Sequence, residues 1–108
     1  MKTRRDVYQA IADPTRREII NLIAGQSYNV NSIAEKFDTT RQAISLHVKI
    51  LEECGLLVIK QSGRERFCEV QLERLDEVVT WIDQSRKLWN QRFEKLDKYL
   101  QHQKSKEK

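Results

Sequence analysis

The sequence predicts a mainly α-helical fold with a small β-hairpin, in the order of four helices, two strands and a fifth helix. Apolar residues recur at intervals of three and four in most of the chain, which is the period of a helix with one buried face. Between residues 56 and 70, β-branched and apolar runs instead flank a Ser62-Gly63 turn. The content of one proline and three glycines among 108 residues also favours helices.

Length, charge and cysteine content restrict the class of protein. The chain is long enough for one domain with a modest core, predicted over residues 1–101, followed by a polar, disordered tail over 102–108. The net charge of +4 is compatible with a polyanionic partner but is weak evidence for one. The sequence has no secretory segment, no apolar run that would cross a bilayer and no disulfide framework. We therefore expect a cytoplasmic protein without a membrane partner.

The first two helices meet at an Asp13-Pro14 pair. The pair stops the helix predicted over residues 4–12 and opens the next one, with Asp13 as the N-cap and Pro14 in the first helical position. Gly25 ends the second helix. Arg16 and Arg17 lie in its first turn, where cations are unfavourable with the helix dipole. They either reach for a phosphate or form a solvated face, and we favour the solvated face.

The fourth helix is predicted between Thr40 and Gly55. Thr40 is a good N-cap, and Gly55 suits the left-handed position that closes a helix. Ile44, Val48 and Leu51 form one apolar stripe, and the opposite face is rich in hydrogen-bond donors. Those donors are Arg41, Gln42, Ser45 and Lys49. Because arginine and glutamine pair with guanine and adenine edges, this face suits the major groove.

The segments on both sides of this helix support the same interpretation. A short helix from Asn29 or Asn31 to Phe37 precedes it, and three residues connect the two, as in a helix-turn-helix. The β-hairpin that follows carries cations at and near its tip, among them Arg64 and Arg66. A hairpin directly behind a reading helix is the wing of a winged helix, which reaches a neighbouring backbone or minor groove.

The last helix, predicted over residues 73–101, has more apolar surface than a core of this size covers. Its apolar side chains follow one side at spacings of three, four and seven, and Trp81, Leu88 and Tyr99 add a second edge. Large exposed apolar patches are rare on monomers, so we predict that the helix forms a two-fold dimer interface. The alternative is that it folds back on the domain.

Three segments of the chain resemble the ArsR/SmtB family of bacterial winged-helix repressors. They are Ala12–Ile19, Ala43–Leu56 and Gly63–Phe67, and the resemblance extends from about Arg4 to Leu100. It implies a homodimer that represses transcription by occupying an inverted repeat, with reading helices about 34–36 Å apart. The family's DNA-reading positions fall on Thr40, Arg41, Gln42, Ser45 and Leu46.

The resemblance also implies that the first and last helices, over residues 4–12 and 73–101, join the two protomers. Together with the apolar spacing, it assigns the dimer interface to Val7, Tyr8, Ile11, Ile82, Trp89, Phe93 and Leu96.

The metal sites of the family's founding members are not expected in this chain. Residues Ser27–Ser32 contain no cysteine pair where those members bind soft metals, and the last helix has no histidine before His102. Without thiolate and imidazole ligands in these places, neither site forms. We therefore predict no metal and no cofactor, and the chain resembles the branch of the family that does not sense metals.

Three further side chains have two interpretations each. His47, one turn after Ala43 on the reading helix, either contacts a phosphate or packs with its ring satisfied. Cys54 and Cys68 look like small core residues, and the alternative is a redox pair that would make the protein a thiol-responsive regulator.

The sequence therefore predicts a DNA-binding transcriptional repressor whose partners are double-stranded DNA and a second copy of itself. The sequence shows no phosphate-binding glycine loop, metal cluster or nucleophile–base pair, so we predict no enzymatic activity. Base reading is assigned to Arg41, Gln42 and Ser45. Leu46 either contacts a thymine methyl or shields the turn. Backbone positioning is assigned to Thr40, Lys49, Arg64 and Arg66. The alternative function is a winged helix that binds another protein.

Overall fold

The computed structural model describes residues 5–106 and confirms the mainly helical fold with a winged helix-turn-helix. The elements are α1 (Val7–Ile11), α2 (Pro14–Gly25), β1 (Tyr28–Asn29), α3 (Val30–Glu35), α4 (Arg41–Glu53), β2 (Leu57–Ser62), β3 (Glu65–Val70), a 3-10 turn (Leu72–Leu75) and α5 (Asp76–Lys106). A compact unit ends at Asp76, and a second unit begins at Glu77 in α5. Within residues 5–106, no helix is both long and apolar enough to cross a membrane.

The core of the compact unit is formed by apolar side chains from α1 to α4 and from the sheet. The largest fully buried ones are Ile19, Ile33, Ile44, Leu51, Leu56, Leu57, Val7 and Cys68. The predicted stripe of α4 is confirmed, because Ile44, Val48 and Leu51 are all buried. Removal of these apolar surfaces from water is the main favourable term that holds α4 against the rest of the unit.

Polar side chains set the beginnings of α2 and α4, as the sequence predicts. Asp13 accepts hydrogen bonds from the backbone N–H groups of Thr15 and Arg16, at 2.8 and 3.2 Å. Thr40 accepts one from the N–H of Ala43 at 3.1 Å. Each cap satisfies donors of the first turn, which have no partner inside a helix.

The end of α4 is set by Gly55, which has a φ of 82°. The N–H of Gly55 donates to the carbonyl of Glu52, and the N–H of Leu56 donates to the carbonyl of Leu51, both at 3.1 Å. This pair of bonds is the Schellman motif, which requires a residue in the left-handed region and so favours glycine. Leu51 and Leu56 are both fully buried, so the chain leaves the helix directly into the core.

The sheet has three strands instead of the two in the predicted hairpin. β2 and β3 pair antiparallel with Ser62 opposite Glu65, and β1 pairs with the other side of β3 with Tyr28 opposite Cys68. β1 has only two residues, too few to show the alternation that predicts a strand. Its second residue, Asn29, is also the N-cap of α3, which is why the sequence predicted a helix there.

Two short helices are shorter than predicted. α1 begins at Val7 instead of residue 4, because the side chain of Asp6 caps it by accepting the N–H of Gln9 at 3.0 Å. Residues 1–4 lie outside the described part of the chain. α3 ends at Glu35 instead of Phe37, because the last turn tightens and the Phe37 N–H donates to a carbonyl three residues back.

α5, described by itself, is one helix of 31 residues that begins at Asp76 instead of residue 73. It continues to Lys106, past the predicted end at Gln101, because no glycine or proline follows that would stop it. Residues 102–106, predicted as part of a disordered tail, are therefore helical, and residues 107–108 lie outside the described part. The exposed large apolar side chains of α5 are Val79, Trp81, Ile82, Leu88, Trp89, Phe93, Leu96, Tyr99 and Leu100.

Candidate nucleic-acid interface

One face of α4 carries five of the predicted site residues, opposite the buried stripe. They are Arg41, Gln42, Ser45, Leu46 and Lys49. Ser45 is half-buried and the others are exposed, including 58% of Leu46. No carboxylate lies in this part of the sequence, so the face offers donors and one apolar group. Such a set matches the acceptors and the thymine methyl of the major groove.

The N-terminal end of α4 and the wing line a common cleft of about 400 Å³. Its lining residues are Asn29, Val30 and Asn31 at the start of α3, Arg41 and Ser45 of α4, and Arg64, Glu65 and Arg66 of the wing. Four predicted DNA-binding residues from two separate stretches of sequence therefore share one surface. With three arginines and one glutamate, the cleft is positively charged and suits a polyanion.

The tip of the wing is a two-residue turn of Gly63 and Arg64. Gly63 has a φ of 64°, which favours glycine at the first position of such a turn, and Arg64 is exposed at the second. Lys60, farther from the tip, forms an ion pair with Glu69 at 2.9 Å. Their hydrogen bond raises the pKa of the Lys60 ammonium and lowers the pKa of the Glu69 carboxyl. The charge of Lys60 is thus partly neutralised within the sheet.

Asn31 is a site residue that the sequence analysis missed. Its Oδ1 accepts a hydrogen bond from Nε of Arg41, so the guanidinium is held at the edge of the cleft. Its position in the sequence could have indicated this role, because Asn31 lies in the first turn of the first helix of the helix-turn-helix. The packing of that helix against α4 was needed to show which side chain it meets.

Arg16 does not belong to the predicted solvated face, whereas Arg17 is exposed as predicted. Arg16 is 9% exposed and donates from Nε to the carbonyl of Ala10 and from Nη2 to the carbonyl of Gln9, both at 3.0 Å. Arg17 donates from Nη1 to the carbonyl of Ile11 at 2.7 Å. These carbonyls end α1 and carry the negative end of its dipole, so both cations stabilise α1 although they lie at the wrong end of α2.

Cys54 and Cys68 are free thiols with 9% and 0% of their surfaces exposed. Burial raises the pKa of both thiols, which lowers the fraction of thiolate at neutral pH. Because the thiolate is the reactive form, the structure supports the interpretation of both as core residues. Among residues 5–106, no group of three or more histidine, cysteine, aspartate or glutamate side chains is arranged to hold a metal ion.

The residues predicted for the dimer interface differ in exposure. Val7 is 2% exposed and belongs mainly to the core of its own protomer, whereas Tyr8 and Ile11 are half-buried. The predicted members in α5 are exposed: Ile82 by 37%, Trp89 by 55%, Phe93 by 60% and Leu96 by 52%.

Comparisons with known proteins agree with this architecture. The model of the arsR family of bacterial regulatory proteins matches residues 13–58, from the N-cap of α2 into β2. The transcriptional repressor SdpR of Bacillus subtilis is 30% identical over 77 residues, which are 71% of this chain and 86% of SdpR.

Two solved structures are similar to the chain over most of its length. An ArsR-like transcriptional regulator from Rhodococcus sp. RHA1 has a TM-score of 0.79 and 25% identity, over 88% of this chain and 87% of that one. The ArsR family transcriptional regulator RHA00566 has a TM-score of 0.69 and 30% identity, over 77% of this chain and 86% of that one. The resemblance inferred from the motifs is thereby confirmed, and the chain belongs to the arsR family of bacterial regulatory proteins.

Proposed function

We propose that this protein is a homodimeric transcriptional repressor that acts in the cytoplasm by occupying an inverted-repeat operator, without catalysis. The cleft shared by α4 and the wing carries this proposal, because it joins groups suited to base edges with groups suited to phosphates. In this arrangement α4 enters the major groove, and the wing meets the adjacent backbone or minor groove. The name of SdpR, a transcriptional repressor, supports the direction of the effect.

The roles of the individual residues follow from their donors and their positions. Arg41 and Gln42 present groups that pair with guanine and adenine, Ser45 serves either base, and Leu46 contacts a thymine methyl. The backbone contacts are assigned to Thr40, Lys49, Arg64 and Arg66. Their contribution is independent of base sequence and fixes the register of the helix on the duplex.

The second protomer is proposed to cover the apolar face of α5. Ile82, Trp89 and Leu96 are spaced by seven residues, and Phe93 follows Trp89 by four with their ring centroids 6.0 Å apart. Aromatic side chains of this kind are preferred anchors of protein interfaces. Tyr8 and Ile11 of α1 are proposed to add to the interface, with a smaller part from Val7 because that side chain is already buried.

Selection of DNA from a randomised pool by the purified protein tests the proposal. The expected result is an inverted repeat with half-site centres about 10–10.5 base pairs apart, bound by a dimer whose affinity falls steeply with salt. Sedimentation of the protein alone and with the selected duplex gives the stoichiometry. Recovery of no motif by a monomeric protein would contradict the proposal and favour a winged helix that binds another protein.

A further inference from the structure

Arg16 is the only charged side chain that is buried in the described part of the chain. Two of its nitrogens are used by the carbonyls of Gln9 and Ala10 at the end of α1. The third, Nη1, lies 3.3 Å from Nδ1 of His47 in the middle of α4. One buried guanidinium therefore joins α1 to the helix that carries the predicted base-reading residues.

The chemistry of the two groups decides which of them donates. A guanidinium has only donors and stays charged, so Nδ1 of His47 must be the acceptor. The proton of the neutral imidazole is then on Nε2. Protonation of Nδ1 would remove the acceptor and place an imidazolium beside a guanidinium that the α1 carbonyls hold in place.

A second contact links the same two parts of the chain. Arg5, just before α1, forms an ion pair with Glu53 in the last turn of α4. This pair is partly exposed and contributes little by itself. Together with Arg16 and His47, it means that α4 is attached to the α1 region at its middle and at its end.

We propose that Arg16 and His47 are positioning residues that set α4 relative to α1, with His47 as a neutral acceptor instead of a cation for a DNA phosphate. The inference rests on the proposed reading of DNA by α4. His47 is five residues after Gln42 on the same helix, so loss of its contact shifts the donors that meet the base edges. Functional donors tolerate displacements of only about 0.5 Å.

The pH dependence of operator binding separates the two roles of His47, because they predict opposite signs. A histidine that binds phosphate as a cation strengthens binding as the pH falls. A histidine that must accept a hydrogen bond from Arg16 instead weakens operator binding as the pH falls, because protonation removes the acceptor. The charged groups that face His47 are the Arg16 guanidinium and the Asp13 carboxylate at the start of α2. Arg5, Asp6 and Glu53 lie at the ends of α1 and α4.

The experiment measures operator affinity by fluorescence anisotropy from pH 7.5 to 5.5 at constant ionic strength. For the wild-type protein we expect a loss of about tenfold over this range, the size of one hydrogen bond to a charged group. His47→Asn places an acceptor oxygen where Nδ1 is and does not titrate, so it should bind as the wild type does at pH 7.5 and keep that affinity at pH 5.5. His47→Leu should bind weakly at both values.

His102, the other histidine of the chain, provides the matched control. His102→Asn should retain the full pH response of the wild-type protein. Arg16→Lys should weaken operator binding at pH 7.5, because a single ammonium cannot replace a planar fork that serves three acceptors. Thermal unfolding of each variant, followed by circular dichroism, identifies any loss of affinity that is due to loss of the fold.

Two results would overturn the inference: tighter binding of the wild-type protein at pH 5.5, or a pH response that persists in His47→Asn. Either result leaves the proposed function intact, because the operator is still bound. Failure of the wild-type protein to select any DNA motif would instead reject the proposed function, and the inference with it.

Discussion

α4 and α5 are both amphipathic helices, but their apolar faces differ in exposure. α4 buries Ile44, Val48 and Leu51 within its own chain. α5 is more than twice as long and leaves side chains as large as Trp89 and Phe93 more than half exposed. The same periodicity thus predicts an apolar face in each helix without indicating what covers it. In α4 this face packs into the core, and for α5 we propose that it meets the second protomer.

The largest effect on stability is expected from a substitution on the buried face of α4. Leu51→Ala should lower the free energy of unfolding by about 2–5 kcal/mol, because the side chain is fully buried and a cavity would remain. Leu46→Ala makes the same chemical change on the exposed face and should cost less than about 0.5 kcal/mol. Urea unfolding followed by circular dichroism measures both variants. Equal losses would contradict the distinction between the two faces of α4.

A substitution on the exposed apolar face of α5 is expected to weaken self-association instead of the fold. Phe93→Ala is expected to weaken the dimer by at least about 30-fold, the effect of removing a hot-spot side chain worth about 2 kcal/mol. Gln91→Ala, on the opposite side of the helix, should leave association unchanged. Sedimentation equilibrium over a range of protein concentrations gives both constants. A dimer of unchanged affinity in Phe93→Ala would show that another surface joins the protomers.

The exposed face of α4 and the wing are both expected to contribute to DNA affinity, but only the contribution of α4 should depend on the base sequence. Gln42→Ala should lose about 1–3 kcal/mol on the selected operator and little on random DNA, because it removes a base contact. Arg64→Ala should weaken both DNAs alike and reduce the salt slope by about one, because it removes a phosphate contact. Anisotropy titrations at several salt concentrations measure these quantities. Equal losses on both DNAs for Gln42→Ala would exclude its base-reading role.

The smallest effect is expected at the helix caps of the compact unit, and it depends on pH. Burial by itself raises the pKa of the Asp13 carboxyl, but hydrogen bonds from the backbone N–H groups of Arg16 and Thr15, together with the nearby Arg16 guanidinium, lower the pKa overall. The carboxylate therefore stabilises the fold fully above its ordinary pKa of 3.8, and this contribution is lost as the pH falls through the lower folded value. Asp13→Ala should cost about 1 kcal/mol at pH 7 and less at pH 3.

Thr40→Ala is the matched control for this cap, because a hydroxyl does not titrate over the same range. Its cost to stability should be the same at pH 7 and pH 3. Thermal unfolding of the two variants and the wild-type protein at both values makes the comparison. A cost of Asp13→Ala that does not change with pH would contradict the stabilising role of the charge.

The features predicted correctly from the sequence depend on neighbours within one or two helical turns. Asp13, Thr40 and Gly55 act on groups at most four or five residues away, so their signals lie next to each other in the chain. The DNA-binding site stays a prediction, and it rests on equally local patterns: a donor face on one helix and cations at the tip of one hairpin. The structure adds that Arg41 and Arg64 line a single cleft.

The features that were missed depend on residues far apart in the sequence. β1 exists because Tyr28 lies beside Cys68, forty residues later, and two residues alone do not predict a strand. Arg41 is held by Asn31 only after two helices have packed. Such contacts depend on which residues are close in the folded chain, and the spacing of residues along the sequence does not predict that.

Arg16 shows most directly which features follow from the sequence and which depend on the tertiary structure. The sequence by itself determined the order of the five helices and the hairpin, the caps of α2 and α4 and the apolar faces, because these follow from local hydrogen bonds and periodicity. The family was indicated by the resemblance of three motifs. A cation in the first turn of α2 is unfavourable with the helix dipole, so the sequence predicts that Arg16 is solvated. The tertiary structure decided otherwise, because α1 presents its terminal carbonyls where Arg16 can satisfy them and where His47 lies within reach. A buried charge is stable only where all its partners meet, and only packing brings them together.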